Sequence, residues 1–171
     1  MAGALFRGNF LVADTSSLIY LARSSIIRPF LRAFHVTIPP LVYQECVHKG
    51  YPGSDEIKGL RREGRLFVHP IREDSDLNLG LPRGGEREVI ILFYQLGPDG
   101  ILIDDGDGVK ACRSRGIPFL SAILVPSLLL EARILSARQA KEALGKMVEI
   151  GRYSESVVLF AHKALMKALT T

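Results

Sequence analysis

At 171 residues, with 47% hydrophobic and 23% charged residues, the chain is long enough to bury a sizeable core and too apolar to be a disordered segment. A formal charge of +4 favours an anionic partner only weakly, since many basic proteins bind nothing anionic. Cys46 and Cys112 are too few for a disulfide framework and lack metal-ligand spacing, and no apolar run reaches the ~18 residues of a membrane span. With no signal sequence in Met1 to Phe10, these features predict a cytoplasmic protein with no membrane partner.

Asn9 to Ala13 is an apolar strand ending at Asp14, and Thr15-Ser16-Ser17 opens a helix through Ile19, Leu21 and Ala22. A second helix, about Ile26 to Phe34, leads to a strand His35 to Ile38 that stops at Pro39-Pro40. These prolines begin a helix, Leu41 to Val47, carrying Glu45. Ser54 to Glu63 reads as a helix, Leu66 to His69 as a strand, and the polar stretch Arg72 to Leu81 as a linker. Gly84-Gly85-Glu86-Arg87-Glu88 opens a helix running from Val89 to Leu96, which places Tyr94 in the core. Gly100 to Ile103 is a buried strand ending in Asp104-Asp105, Gly108 to Arg115 a helix, and Pro118 to Ser121 a last short strand. Beyond Pro126, Leu128-Leu129-Leu130, Ile134-Leu135, Ala140, Leu144, Met147-Val148 and Val157-Val158-Leu159 recur at helical spacing, with a break at Gly151. The chain is therefore read as one domain, 1–171, with an α/β core over 9–125 and a helical extension over 126–171 packed on it. Strands separated by helical segments imply a central parallel sheet with helices on both faces.

That layout gathers acids. In an open parallel sheet, ligands bind in the crevice outside the carboxyl ends of the strands. Asp14 and Asp104 follow strands and lie on that edge, while Glu45 and Glu86 sit in helices that start from it. Each acid also has an ordinary explanation: Asp14 as a helix cap, Glu45 as a solvated helix residue, Glu86 and Glu88 as complements of a helix dipole, and Asp104 to Gly108 as an acidic turn. A common site explains all of them at once. Phosphodiester hydrolysis needs a nucleophilic water, neutralised charge on phosphorus and a stabilised leaving oxygen, and one or two Mg²⁺ or Mn²⁺ ions serve all three needs. Mg²⁺ takes oxygen ligands and keeps several waters, so a few carboxylates suffice.

Competing motifs fail. Counted from Asp105 as a calcium loop, the fifth position is Val109 and the twelfth Gly116, where oxygen ligands are required. No phosphate-binding loop occurs, and Gly80, Gly84 and Gly85 lack dinucleotide-binding spacing. His35, His48, His69 and His162 form no ligand pattern, and neither cysteine has a local base to activate it. Two basic groups are candidates for phosphate contacts: Arg61, Arg62 and Arg65, and Lys110, Arg113 and Arg115 on the helix after the aspartates. Tyr43, Tyr51 and Tyr94 are the candidates to stack bases, with the core favoured for Tyr94.

Leu11-Val12-Ala13-Asp14-Thr15-Ser16-Ser17-Leu18-Ile19, Glu45 after Ile38-Pro39, Gly85-Glu86-Arg87-Glu88 and Leu102-Ile103-Asp104-Asp105 together resemble a PIN domain, over about residues 9 to 130. The PIN family comprises metal-dependent ribonucleases and includes toxins of prokaryotic toxin–antitoxin pairs. The resemblance implies a three-layer α/β/α fold and an endoribonuclease using Mg²⁺ or Mn²⁺. Asp14 matches the first acid, Ser16 an accompanying hydroxyl, Glu45 the second acid and Glu86 the third. Asp104, Asp105 and Asp107 all compete for the fourth place, because the basic residue that usually follows the acid pair is missing. The implied partners are RNA, a second copy in a homodimer and an antitoxin segment. The alternative is a non-catalytic PIN-like scaffold that binds RNA or protein.

Overall fold

The computed structural model describes residues 8–48, 50–72 and 79–170. The N-terminal residues 1–7 and most of the polar stretch read as a linker, at 73–78, lie outside them. Five strands, β1 (Phe10–Ala13), β2 (His35–Ile38), β3 (Leu66–Val68), β4 (Gly100–Leu102) and β5 (Phe119–Leu120), form one all-parallel sheet in the order β3-β2-β1-β4-β5. Leu11, Val12, Ala13, Val36, Ile38, Ile101 and Leu102 are all buried, the near-continuous apolar pattern of strands covered on both faces.

The covering helices are α1 (Thr15–Arg23), α2 (Ile27–Ala33), α3 (Pro40–Cys46), α4 (Ser54–Arg62), α5 (Gly85–Leu96), α6 (Gly106–Arg115), α7 (Val125–Glu131), α8 (Ala137–Ile150) and α9 (Glu155–Thr170). The three-layer α/β/α fold is the one the sequence predicts, and element ends fall within one or two residues of expectation. Local chemistry accounts for most of those ends. Asp14 caps α1 through the Ser17 N–H, Pro40 stands at the start of α3, and Ser136 with Gln139 closes a capping box on α8. Gly97 and Gly116 end α5 and α6 in the left-handed conformation.

Helix α5 lies against β1 and β4 and touches α3 and α6, so it spans the middle of the sheet. The C-terminal helices α7, α8 and α9 pack on one another, and α8 also reaches α1, burying Ala140, Ala143, Leu144, Met147, Ala161 and Leu165. One core assignment is corrected: Tyr94 is 46% exposed. Phe93 and Leu96 take the inward side of that last turn of α5 and leave Tyr94 on the outward side.

The first turn of α6 is pressed onto the sheet. A Cβ on Gly108 would collide with Ile103 Cδ1 and lie 3.1 Å from its Cγ1, whereas one on Gly106 would meet nothing within 4 Å. Gly108→Ala is accordingly expected to cost about 1–3 kcal/mol by overpacking the buried Ile103. Gly106→Ala should be neutral or stabilising by up to ~1 kcal/mol. Urea midpoints of the two variants check the contrast.

Candidate active site

The sheet order reverses direction beside β1, whose neighbours are β2 and β4, and this is where open α/β sheets form their ligand crevice. Asp14 follows β1 and Asp104 follows β4, so residues ninety positions apart become neighbours. Asp14 is only 2% exposed. Its Oδ1 accepts from the Ser17 N–H at 2.8 Å, and its Oδ2 accepts from the N–H groups of Asp104 and Asp105 at 3.2 and 3.3 Å. Ser17 bridges the pair, since its hydroxyl donates to Asp104 Oδ2 at 2.6 Å. The hydroxyls of Ser121 and Tyr153 (3.0 Å for the latter) donate to Asp104 Oδ1, and the Ala122 N–H reaches both oxygens. Four donor groups thus occupy the roughly four acceptor positions of one carboxylate.

Burial, and after it the charge of Asp104, pushes the Asp14 carboxyl from 3.8 up to about 7, against the opposing pull of its hydrogen bonds to Ser17 and Asp104. Burial and the same Asp104 charge raise the Tyr153 hydroxyl far above its ordinary range, which keeps it a neutral donor. Burial lifts Cys46 to about 12 and Cys112 to about 11, so both thiols stay protonated and unreactive, as expected from their lack of a local base.

Glycines make room for Glu45 and Glu86. The Thr15 hydroxyl, beside Asp14, donates to Glu45 Oε2. That same oxygen lies 3.0 Å from where a Cβ on Gly85 would stand, so Gly85 lets α5 start directly beneath Glu45. Glu86, the next residue, lies against Gly108 of α6, with its Cγ 3.7 Å from the corresponding position.

The aspartate run divides by role. Asp104 holds the hydroxyl set, Asp105 caps α6 through Oδ1 to the Asp107 and Gly108 N–H groups, and Asp107 pairs with Lys110 at 3.2 Å on the surface. Ser16 is half-buried in the first turn of α1, and the hydroxyls that touch the carboxylates are those of its neighbours Thr15 and Ser17. Helix α6 runs away from this edge, which separates its basic residues. Lys110 is engaged by Asp107, Arg113 stands over the Phe119 ring, and Arg115 at the far end donates to the Leu79 carbonyl at 3.0 Å. Arg61, Arg62 and Arg65 lie where α4 leads into the amino end of β3, on the opposite edge of the sheet.

Sequence reasoning passed over Thr15, Ser17, Ser121 and Tyr153. Ser17 was within reach as the residue that an Asp14 cap must bond, and Ser121 as the residue ending a strand. No local signal marks Tyr153.

Among the described residues, no three His, Cys, Asp or Glu side chains converge into a ready-made metal cage. The donor chemistry nonetheless fits a hard divalent ion. Every group is a carboxylate, the pair of buried Asp14 and half-buried Asp104 has no basic partner among the described residues, and Mg²⁺ commonly binds through one or two carboxylates with the rest water.

The raised Asp14 value sets a direction for stability. The unfolded chain releases this proton near 3.8 and the folded chain near 7, so the Asp14 contribution is complete below the first value and lost as pH rises through the second. The swing is at most roughly 4 kcal/mol. Metal-free protein should lose stability as pH rises from about 4 to about 7, and Asp14→Asn should flatten that slope. Urea titrations giving equal slopes for the two proteins would remove Asp14 as the source.

A comparison with protein-family models matches residues 10–167 to DUF3368, a PIN domain. No curated protein and no solved structure gives a significant match. No helix among the described residues is long and apolar enough to cross a membrane. With nearly the whole chain matched and its parallel sheet in agreement, the chain belongs to the PIN-domain family, whose members are generally nucleases and typically use divalent metals.

Proposed function

We propose that the chain is a metal-dependent endoribonuclease, with Asp14, Glu45 and Glu86 holding Mg²⁺ or Mn²⁺ together with the Asp104-Asp105-Asp107 run. The observation that carries this reading is the Asp14–Asp104 pair: a buried carboxylate beside a half-buried one at the switch point, the first pushed up to about 7 by burial and by the charge of the second. Such a pair resists double ionisation until a cation neutralises it. When bound, a divalent ion supplies water activation and charge neutralisation at a phosphodiester.

The protein's own side chains divide the remaining work. Ser17, Ser121 and Tyr153 lock the Asp104 carboxylate, and with its acceptor positions taken, direct ligation by Asp104 requires one of these hydroxyls to turn away. Asp105 has its Oδ2 outside the hydrogen bonds that cap α6, which makes it the member of the run best placed to contribute without such a change. Asp107 contributes only by leaving Lys110. Thr15 orients Glu45.

In a cleavage assay with Mn²⁺ and a fluorescent RNA, Asp14→Asn is expected to lower the rate by at least ~100-fold, in line with removal of a group that stabilises the charge developing in the transition state. Equal cleavage by the two proteins would refute the site. A second reading, a non-catalytic scaffold, draws on the lack of a three-acid cage among the described residues. Calorimetry separates the two, because a scaffold shows no Mn²⁺ binding that depends on Asp14. A toxin role is the narrower form of the proposal, and induced expression that leaves growth unchanged would count against it.

A further inference from the structure

Asp104 has a second face. Together with Ser121 and Tyr153 it lines a cavity of about 440 Å³ enclosed by α6, β5 and the start of α9. Val109, Leu124 and Val157 supply apolar wall, while the exposed Arg113, Arg152 and Phe160 stand around it. Phe160 is 61% exposed, a large aromatic that the core does not use. Arg113 keeps its guanidinium 5.8 Å from the Phe119 ring centre, and neither Arg113 nor Arg152 is ion-paired with a described carboxylate. Two cations, an exposed ring and apolar walls beside a carboxylate edge are the chemistry that receives a phosphate and a base together.

We infer that this cavity seats one unpaired nucleotide of an RNA strand, next to the phosphate to be cleaved, with Arg113 and Arg152 on its phosphate and Phe160 against its base. The assignment rests on the nuclease reading above, since it is the shared Asp104 that places the cavity beside the reacting phosphate. A duplex cannot fill it, because paired bases stay in their stack and present no free face.

The test is fluorescence anisotropy in EDTA, where no cleavage occurs, using a single-stranded RNA oligonucleotide, the same sequence as a duplex, and 5′-AMP. All three substituted side chains are exposed, and thermal melts of the variants confirm folding. Phe160→Ala is expected to weaken single-strand binding about tenfold. Arg113→Ala and Arg152→Ala should each weaken it and reduce the logarithmic salt slope by about 0.7, with duplex binding unchanged. Wild-type affinity in all three variants would overturn the inference, as would AMP binding without oligonucleotide binding, which marks a small-molecule site. The two readings fail separately. Variant-sensitive binding without Asp14-dependent cleavage sinks the nuclease and keeps the seat, and Asp14-dependent cleavage with variant-insensitive binding does the reverse.

Discussion

Two carboxylates held together at the reversal point of a parallel sheet impose the main constraint on this protein. Asp14 and Asp104 follow adjacent strands, and Asp14 lies beneath the surface, so their repulsion is poorly screened. The fold does not relieve that repulsion with a basic side chain among the described residues. It surrounds the pair with N–H and O–H donors, which stabilise charge without cancelling it. Asp14 accordingly remains near the midpoint of its titration at neutral pH. A cation bound at such a site would relieve the repulsion, which is the physical content of calling it a candidate metal centre.

The same constraint explains why the C-terminal helices are more than a cover. Tyr153 lies between α8 and α9 and brings its hydroxyl to Asp104, so the last third of the chain is tied to the acidic edge by a polar contact as well as by its buried apolar face. Gly151 makes that return possible: a Cβ there would strike the Tyr153 ring and lie 2.8 Å from the Met147 carbonyl oxygen. Because α9 starts just after this contact, Val157 and Phe160 come to line the cavity that opens beside Asp104. Helix packing and site shape are in this way set by one short connection.

Much of the architecture was legible from pattern alone. Short apolar runs ending in acids, prolines opening a helix and glycines closing others are local signals, and the elements built on them fall within one or two residues of expectation. Asp14 shows why a local reading is incomplete rather than mistaken: it caps α1, as its position implies, and the same carboxylate faces Asp104. The aspartate run was illegible in the other sense. Asp104, Asp105 and Asp107 look interchangeable in sequence, yet one bonds three hydroxyls, one caps a helix and one pairs with Lys110 in solvent, because each leaves the turn in a different direction. The aromatics misled for a related reason. Tyr94 was assigned to the core from its helix, while Phe160, facing the cavity from a distant helix, attracted no notice.

By itself, the sequence determined which elements form and that acids stand at one end of them, since hydrophobic period, caps and turn residues act over a few positions. Strand order, and with it the meeting of Asp14 with Asp104, was decided only by tertiary structure, because which strand pairs with β1 depends on burying apolar faces across the whole sheet. The hydroxyl set of Ser17, Ser121 and Tyr153 follows from that same packing: its members have no common spacing in the chain and come together only once the carboxylate they serve has been placed.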